Sequence, residues 1–98
     1  MQTETATACL ESLGNPTRLE IFRRLVKAGE TGCAVGVIQQ ELNIPGSTLS
    51  HHLHHLVERG LVSQTRQGRT LTCCANFSQM NNLLSFLLEE CCADDNRC

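Results

Sequence analysis

Gly46-Ser47-Thr48-Leu49-Ser50-His51-His52-Leu53-His54-His55-Leu56-Val57-Glu58-Arg59-Gly60-Leu61-Val62 is the stretch on which the reading of this chain turns. Apolar Leu49, Leu53, Leu56 and Val57 recur at i, i+4, i+7 and i+8, the repeat of one face of an α-helix. The opposite face carries Ser47, Thr48, Ser50, His51, His54, His55 and Arg59, nearly all hydrogen-bonding groups. The spacing therefore predicts a short helix over 47–59, stopped at Gly60, with one side for a core and one side of donors and acceptors. Such a helix fits the major groove of duplex DNA, where base edges are told apart by groups of this kind.

Its neighbours strengthen that reading. Residues 61–66 and 69–74 are β-prone runs around Gln67-Gly68, which predicts a hairpin whose turn uses a positive φ at Gly68. Arg66 and Arg69 flank the tip, placed to touch phosphate or enter a minor groove. Upstream, Ala34 to Leu42 reads as a short helix with Val35, Ile38 and Leu42 on one face, closed by Asn43-Ile44-Pro45-Gly46. Helix, turn, helix, hairpin is the order of a winged helix-turn-helix. The expected class is thus mainly α with a small β-hairpin.

The remaining elements follow from local signals. Residues 4–13 form a short helix with Cys9, Leu10 and Leu13 apolar. Asn15-Pro16 is a helix start, and the helix runs to about Ala28 with Leu19, Phe22, Leu25 and Val26 inward. Ser78 is placed to cap a last helix from about Gln79 to Cys92, striped by Met80, Leu83, Leu84, Leu87 and Leu88. Residues 1–98 read as a single domain, with helices 4–13 and 78–92 for dimerisation and a tail at 93–98.

Ninety-eight residues with 41% hydrophobic content support a modest core, which a homodimer interface would supplement. No run of roughly 18 apolar residues and no signal segment is present, so no membrane association and a cytoplasmic location are expected. Three aromatics, with no Trp or Tyr, argue against stacking on single strands. The net charge of −2 is unevenly spread. Residues 42–75 set Arg59, Arg66 and Arg69 against Glu58, whereas 89–98 set Glu89, Glu90, Asp94 and Asp95 against Arg97. The face expected to meet DNA is mildly basic and the tail acidic. No nucleophile, base and orienting group come together in the pattern, so catalysis is not expected.

The chain resembles the ArsR/SmtB family of metalloregulatory transcriptional repressors. The residues that carry the likeness are Leu13-Gly14-Asn15-Pro16-Thr17-Arg18-Leu19-Glu20-Ile21-Phe22, Ser50-His51-His52-Leu53, Glu58-Arg59-Gly60-Leu61-Val62, and Gln67-Gly68-Arg69. It covers roughly residues 10–90. The resemblance implies a homodimer that holds double-stranded operator DNA and releases it when an inducer binds. The family's arsenic site, Cys-x-Cys-x-x-Cys, would fall on Ala34, Gly36 and Gln39, so it is absent, with Cys33 one residue outside it. Zinc-sensing relatives draw Asp, His and Glu from the terminal helix, and this terminal helix has no His.

Seven cysteines in such a short chain without a signal segment point to reactive or metal-binding thiols. Cys91, Cys92 and Cys98 are the favoured set, since the polar tether 93–97 lets the last thiol fold back. Three soft sulfurs with no obvious fourth ligand suit pyramidal As(III) or Sb(III) better than tetrahedral Zn²⁺. Arsenous acid arrives neutral and can exchange three hydroxyls for three thiols. The neutral adduct tolerates the acidic surroundings, which disfavour thiolate. Two alternatives stand beside this: thiol-redox or persulfide sensing by the same cysteines, and Zn²⁺, Ni²⁺ or Cu²⁺ held by His51 with His54 or His55. Cys9, Cys33 and one of Cys73 and Cys74 read as core residues.

Overall fold

The structure is a computed structural model that describes residues 1–95. Its elements run α1 (Thr3–Leu13), α2 (Pro16–Ala28), a 3-10 turn (Gly29–Thr31), β1 (Cys33–Ala34), α3 (Val35–Leu42), α4 (Gly46–Glu58), β2 (Val62–Gln67), β3 (Thr70–Ala75) and α5 (Phe77–Leu88). The three strands form one antiparallel sheet in the order β1-β3-β2. Mostly helical, with a three-stranded sheet behind a helix-turn-helix, this is a winged helix-turn-helix.

Local chemistry accounts for most boundaries. The Asn15 side chain accepts from the Arg18 amide at 3.1 Å, and Pro16 opens α2 at no hydrogen-bonding cost. Asn43 adopts a left-handed φ of 51° to end α3, and Gly68 takes 62° at the tip of the hairpin. Arg24 and Glu41 form an ion pair at 2.6 Å that ties α2 to α3. That hydrogen bond holds the Glu41 carboxyl below the usual range.

The buried face of α4 is the predicted one: Leu49, Leu53 and Leu56 are shut off from water. Each such leucine contributes on the order of 1.5–3 kcal/mol from burial. Every α-helix and every strand supplies something to this core, including Ala6 and Cys9 from α1, Ile38 from α3, Cys73 from β3 and Leu83 from α5.

Several expectations need correction. In α2 the inward residues are Ile21, Phe22 and Leu25, while Leu19 and Val26 are each 43% exposed. At about 100° per residue, Leu19 and Val26 form a second apolar stripe about 100° round the helix. The β1 strand was not foreseen, because two residues are too few for any period to register. The last helix starts two residues earlier than expected: Asn76, not Ser78, is the cap, its side chain accepting from Gln79 N at 3.1 Å. It also stops at Leu88 rather than Cys92. Glu89 and Glu90 follow at the helix's negative end, where acidic side chains are repelled, and Glu90 and Cys92 turn to φ 60° and 63°. Cys91 and Cys92 thus lie in turns beyond the helix.

Candidate nucleic-acid interface

The polar face of α4 is open. Ser47, Thr48, Ser50, His51 and His54 are all exposed along the side opposite the three core leucines. His54 Nε2 lies 2.9 Å from Glu58 Oε1, one turn on. Pro45 precedes α4 and no side chain caps the first turn, so its leading amides face outward without a side-chain acceptor.

Strand register fixes the aim of the wing. Paired residues of an antiparallel ladder share a face, and the pairs Val62↔Ala75, Gln64↔Cys73 and Arg66↔Leu71 put one face of the hairpin on the core side. That face runs from buried Val62 and Ala75 at its root to exposed Arg66 near the tip. Arg66 and Arg69 line an open cleft of about 840 Å³ against α3, together with Gly36, Gln39, Gln40 and Asn43. A smaller recess joins Ser50 and His54 of α4 to Gln64 and Leu71 of the sheet. The two recesses share Val35 and Leu71, so Ser50 and His54 of the reading helix and the two wing arginines border adjoining hollows. Gln64 also lines the smaller hollow and was missed in the sequence. Its signal was there, two residues before Arg66 on a strand.

Two residues assigned to the outward face of α4 are turned elsewhere. His55 Nδ1 lies 2.9 Å from Ser12 Oγ, which is fully buried, so this imidazole joins α4 to α1. Arg59 follows the end of α4, half-buried, its Nε without a partner among the described residues. His52 sits partly buried with Arg18 Nη1 donating toward its Nδ1 at 3.4 Å, and Arg18 Nε donates to the Ser12 carbonyl at 2.7 Å. Burial first, then the Arg18 charge, pushes His52 below its ordinary pKa. The same two causes, with Arg59 and against Glu11, push His55 down as well.

The start of α5 holds the end of α4. Asn76 Nδ2 donates to the Gly60 carbonyl at 2.8 Å, and Gln79 Nε2 donates to the Arg59 carbonyl at 3.2 Å. Cys9 of α1 donates to that same Arg59 carbonyl at 3.6 Å. Beyond the far end of α5, Cys91 Sγ lies 3.3 Å from Cys92 Sγ. Cys91 is a free thiol and Cys92 is disulfide-bonded. Cys98, the third residue of the predicted sulfur site, lies outside the described residues. Among the described residues no group of three or more His, Cys, Asp or Glu is arranged to hold a metal ion. None of their helices is long and apolar enough to cross a membrane.

Known proteins share this arrangement. A family model described as "Helix-turn-helix domain" matches residues 13–65. An uncharacterized HTH-type transcriptional regulator of Methanocaldococcus jannaschii is 37% identical over 65 residues, 66% of this chain and 71% of that protein. A protein of Halobacterium salinarum named for an arsenical resistance operon repressor, ArsR, is 38% identical over 66 residues, 67% of this chain. This chain spans only 50% of that relative's length. Among solved structures, an ArsR family transcriptional regulator superposes with a TM-score of 0.82 at 20% identity, covering 100% of this chain and 98% of the other. With its helix-turn-helix matched across more than half its length, and an HTH-type regulator 37% identical over most of that protein, the chain belongs to the helix-turn-helix family of transcriptional regulators.

Proposed function

We propose that this regulator is a homodimeric repressor that holds a palindromic operator through α4 and the wing, and lets go when trivalent arsenic or antimony binds Cys91, Cys92 and Cys98. The observation that carries the DNA half is a pair of adjoining recesses: exposed Ser50 and His54 of α4 line one, Arg66 and Arg69 line the other, and Ser47, Thr48 and His51 are exposed on the same helix. Side-chain donors and acceptors on α4 would read base edges, while the arginines and the uncapped first turn of α4 would take phosphates.

The sensing half rests on sulfur geometry. With a metal–thiolate bond of about 2.3 Å and a pyramidal angle of roughly 95°, two sulfurs on one centre lie about 3.4 Å apart. The 3.3 Å between Cys91 and Cys92 Sγ suits that arrangement. The disulfide at Cys92 must first be reduced, so the metalloid-binding form is the all-thiol form. Such a ligand acts only through its different affinity for the two states of the dimer. A coupling of about 1–3 kcal/mol changes operator affinity roughly 5–150-fold. The route from the tail to the reading helix is α5, whose Asn76 and Gln79 grip the carbonyls that end α4.

The test is fluorescence anisotropy on the upstream DNA of the protein's own gene, with and without arsenite under reducing conditions. The wild type should bind and then dissociate. Cys91→Ser, Cys92→Ser and Cys98→Ser should each bind equally well and fail to dissociate. Release by arsenite in all three variants would eliminate the site. The disulfide at Cys92 favours one second reading, a repressor whose tail thiols respond to oxidants or polysulfide. Release by those agents, with arsenite inert, would select it. The Zn²⁺, Ni²⁺ or Cu²⁺ alternative is weakened by the Ser12 contact that occupies His55.

A further inference from the structure

The cysteines not used above fall into a pattern that only strand pairing reveals. Cys33 on β1 and Cys73 on β3 are register partners, directly opposite one another, with Gln64 of β2 opposite Cys73 on the other side. Cys33, Cys73 and Gln64 therefore lie in one row on one face of the sheet. Cys73 is fully buried, Cys33 is nearly so, and both are free thiols. Residues facing each other in an antiparallel pair have Cα atoms about 4.5–5.5 Å apart, inside the window of about 4.4–6.8 Å that a disulfide spans. Cys74 is excluded despite being adjacent to Cys73. It points to the opposite face, where its thiol donates to the Glu30 carbonyl at 3.6 Å.

We propose that Cys33 and Cys73 are a disulfide-forming pair, a second thiol site independent of the tail cysteines, which hydroperoxides oxidise and which closes residues 33–73 into a loop around the reading head. That loop contains α3, α4 and β2, so the bond staples the whole helix-turn-helix to the strand that carries the wing.

The two thiols have different roles. β1 is only two residues long, lies at the edge of the sheet and follows Gly32 and the 3-10 turn. Local fraying there exposes Cys33 at little cost, whereas Cys73 sits in the central strand. Burial pushes the Cys73 thiol up, and the Gln64 amide donating to its sulfur at 3.5 Å works the other way. In the first step the Cys33 thiolate attacks the outer oxygen of the hydroperoxide. The O–O bond breaks, an alcohol leaves with a proton, and Cys33 becomes a sulfenic acid. In the second, the Cys73 sulfur attacks that of Cys33. The S–O bond breaks and the hydroxyl leaves as water with the Cys73 proton. Two electrons pass from the two thiols to the peroxide.

The experiment uses the full chain carrying Cys91→Ser, Cys92→Ser and Cys98→Ser, so that the tail cannot react. The folded protein is exposed to hydrogen peroxide, digested without reduction and mapped by mass spectrometry. The expected product is one cross-linked peptide pair joining Cys33 to Cys73, lighter by two hydrogens. Its melting midpoint should rise by roughly 10–20 °C and return with dithiothreitol. With Cys73→Ala added, Cys33 should stop at the sulfenic acid and be captured by dimedone. Free thiols at both positions after oxidation overturn the proposal, as does a link through Cys9 or Cys74. An unchanged melting midpoint in the linked protein removes the staple around the reading head.

Discussion

Single residues in this chain are placed by backbone demands that side-chain chemistry cannot relax. Gly32 has φ 78° and ψ −173°, a region essentially restricted to glycine. A Cβ there would lie 2.7 Å from the Cys73 carbonyl oxygen and 2.6 Å from Cys74 Sγ. Since the carbonyl belongs to the central strand, Gly32→Ala should lower unfolding free energy by at least about 2 kcal/mol. Gly36 is the opposite case, exposed inside α3 with nothing within 4 Å of an added Cβ. Gly36→Ala should stabilise by about 0.5–1 kcal/mol. Urea unfolding of both variants checks the pair, and equal shifts of one sign would contradict this account of the two sites. His52 and His55 carry a prediction in pH. Both are held below their ordinary pKa, so the unfolded chain takes up protons first as pH falls through about 6.5. The unfolded state then binds more protons than the folded one, and stability falls below that point while being fully present above it. The urea midpoint should drop between about pH 7.5 and about pH 5.5, and drop less in a His52→Gln, His55→Gln double variant. Equal losses in both proteins would show that other groups set the slope.

At the scale of elements, the wing is the part whose contribution to binding separates cleanly from folding. Arg69 is exposed at the hairpin turn and makes no hydrogen bond or ion pair among the described residues, so its loss should leave stability unchanged. Arg69→Ala should weaken operator binding across sequences and reduce the slope of log K against log salt by about 1. An unchanged slope would remove this side chain from the phosphate contacts. The helix-turn-helix and hairpin were legible because Leu49, Leu53 and Leu56 repeat cleanly, Asn15-Pro16 marks a start, and Gly68 marks a turn. What sequence could not decide was rotation and pairing. Ile21 and Val26 are both apolar on α2, and only packing against the sheet and α4 selects the stripe that goes inward. His55 and His54 are neighbours with the same side chain, yet Ser12 across the core claims one and leaves the other outside. The row Cys33–Cys73–Gln64 needs a strand order that no local pattern contains. The tail thiols were visible as a cluster in sequence, but the end of α5 before them was not, because repulsion at a helix terminus leaves no periodic trace.

The whole molecule leaves a surface that its own core does not use. On α5 only Leu83 is buried, while Leu84, Leu87 and Leu88 are 50%, 52% and 67% exposed, and Leu10 of α1 is 44% exposed. Three leucines within five residues of one helix form an apolar face that a second copy, meeting it about a two-fold axis, would cover with the same residues. Such a dimer would set two copies of α4 against successive turns of the duplex, about 34 Å apart, so that each half-site raises the effective concentration of the other. Leu87→Glu tests this without touching the core, because a half-exposed side chain on the outer face of α5 has little packing to lose. The variant should keep the helical circular dichroism of the parent yet run as a monomer in size-exclusion chromatography with light scattering. Its operator affinity should fall by about 10²–10⁴-fold, the bivalent advantage, while binding to an isolated half-site changes little. A variant that remains dimeric with parental operator affinity would place the interface elsewhere. It would also detach the tail cysteines from any route that works by shifting one protomer against the other.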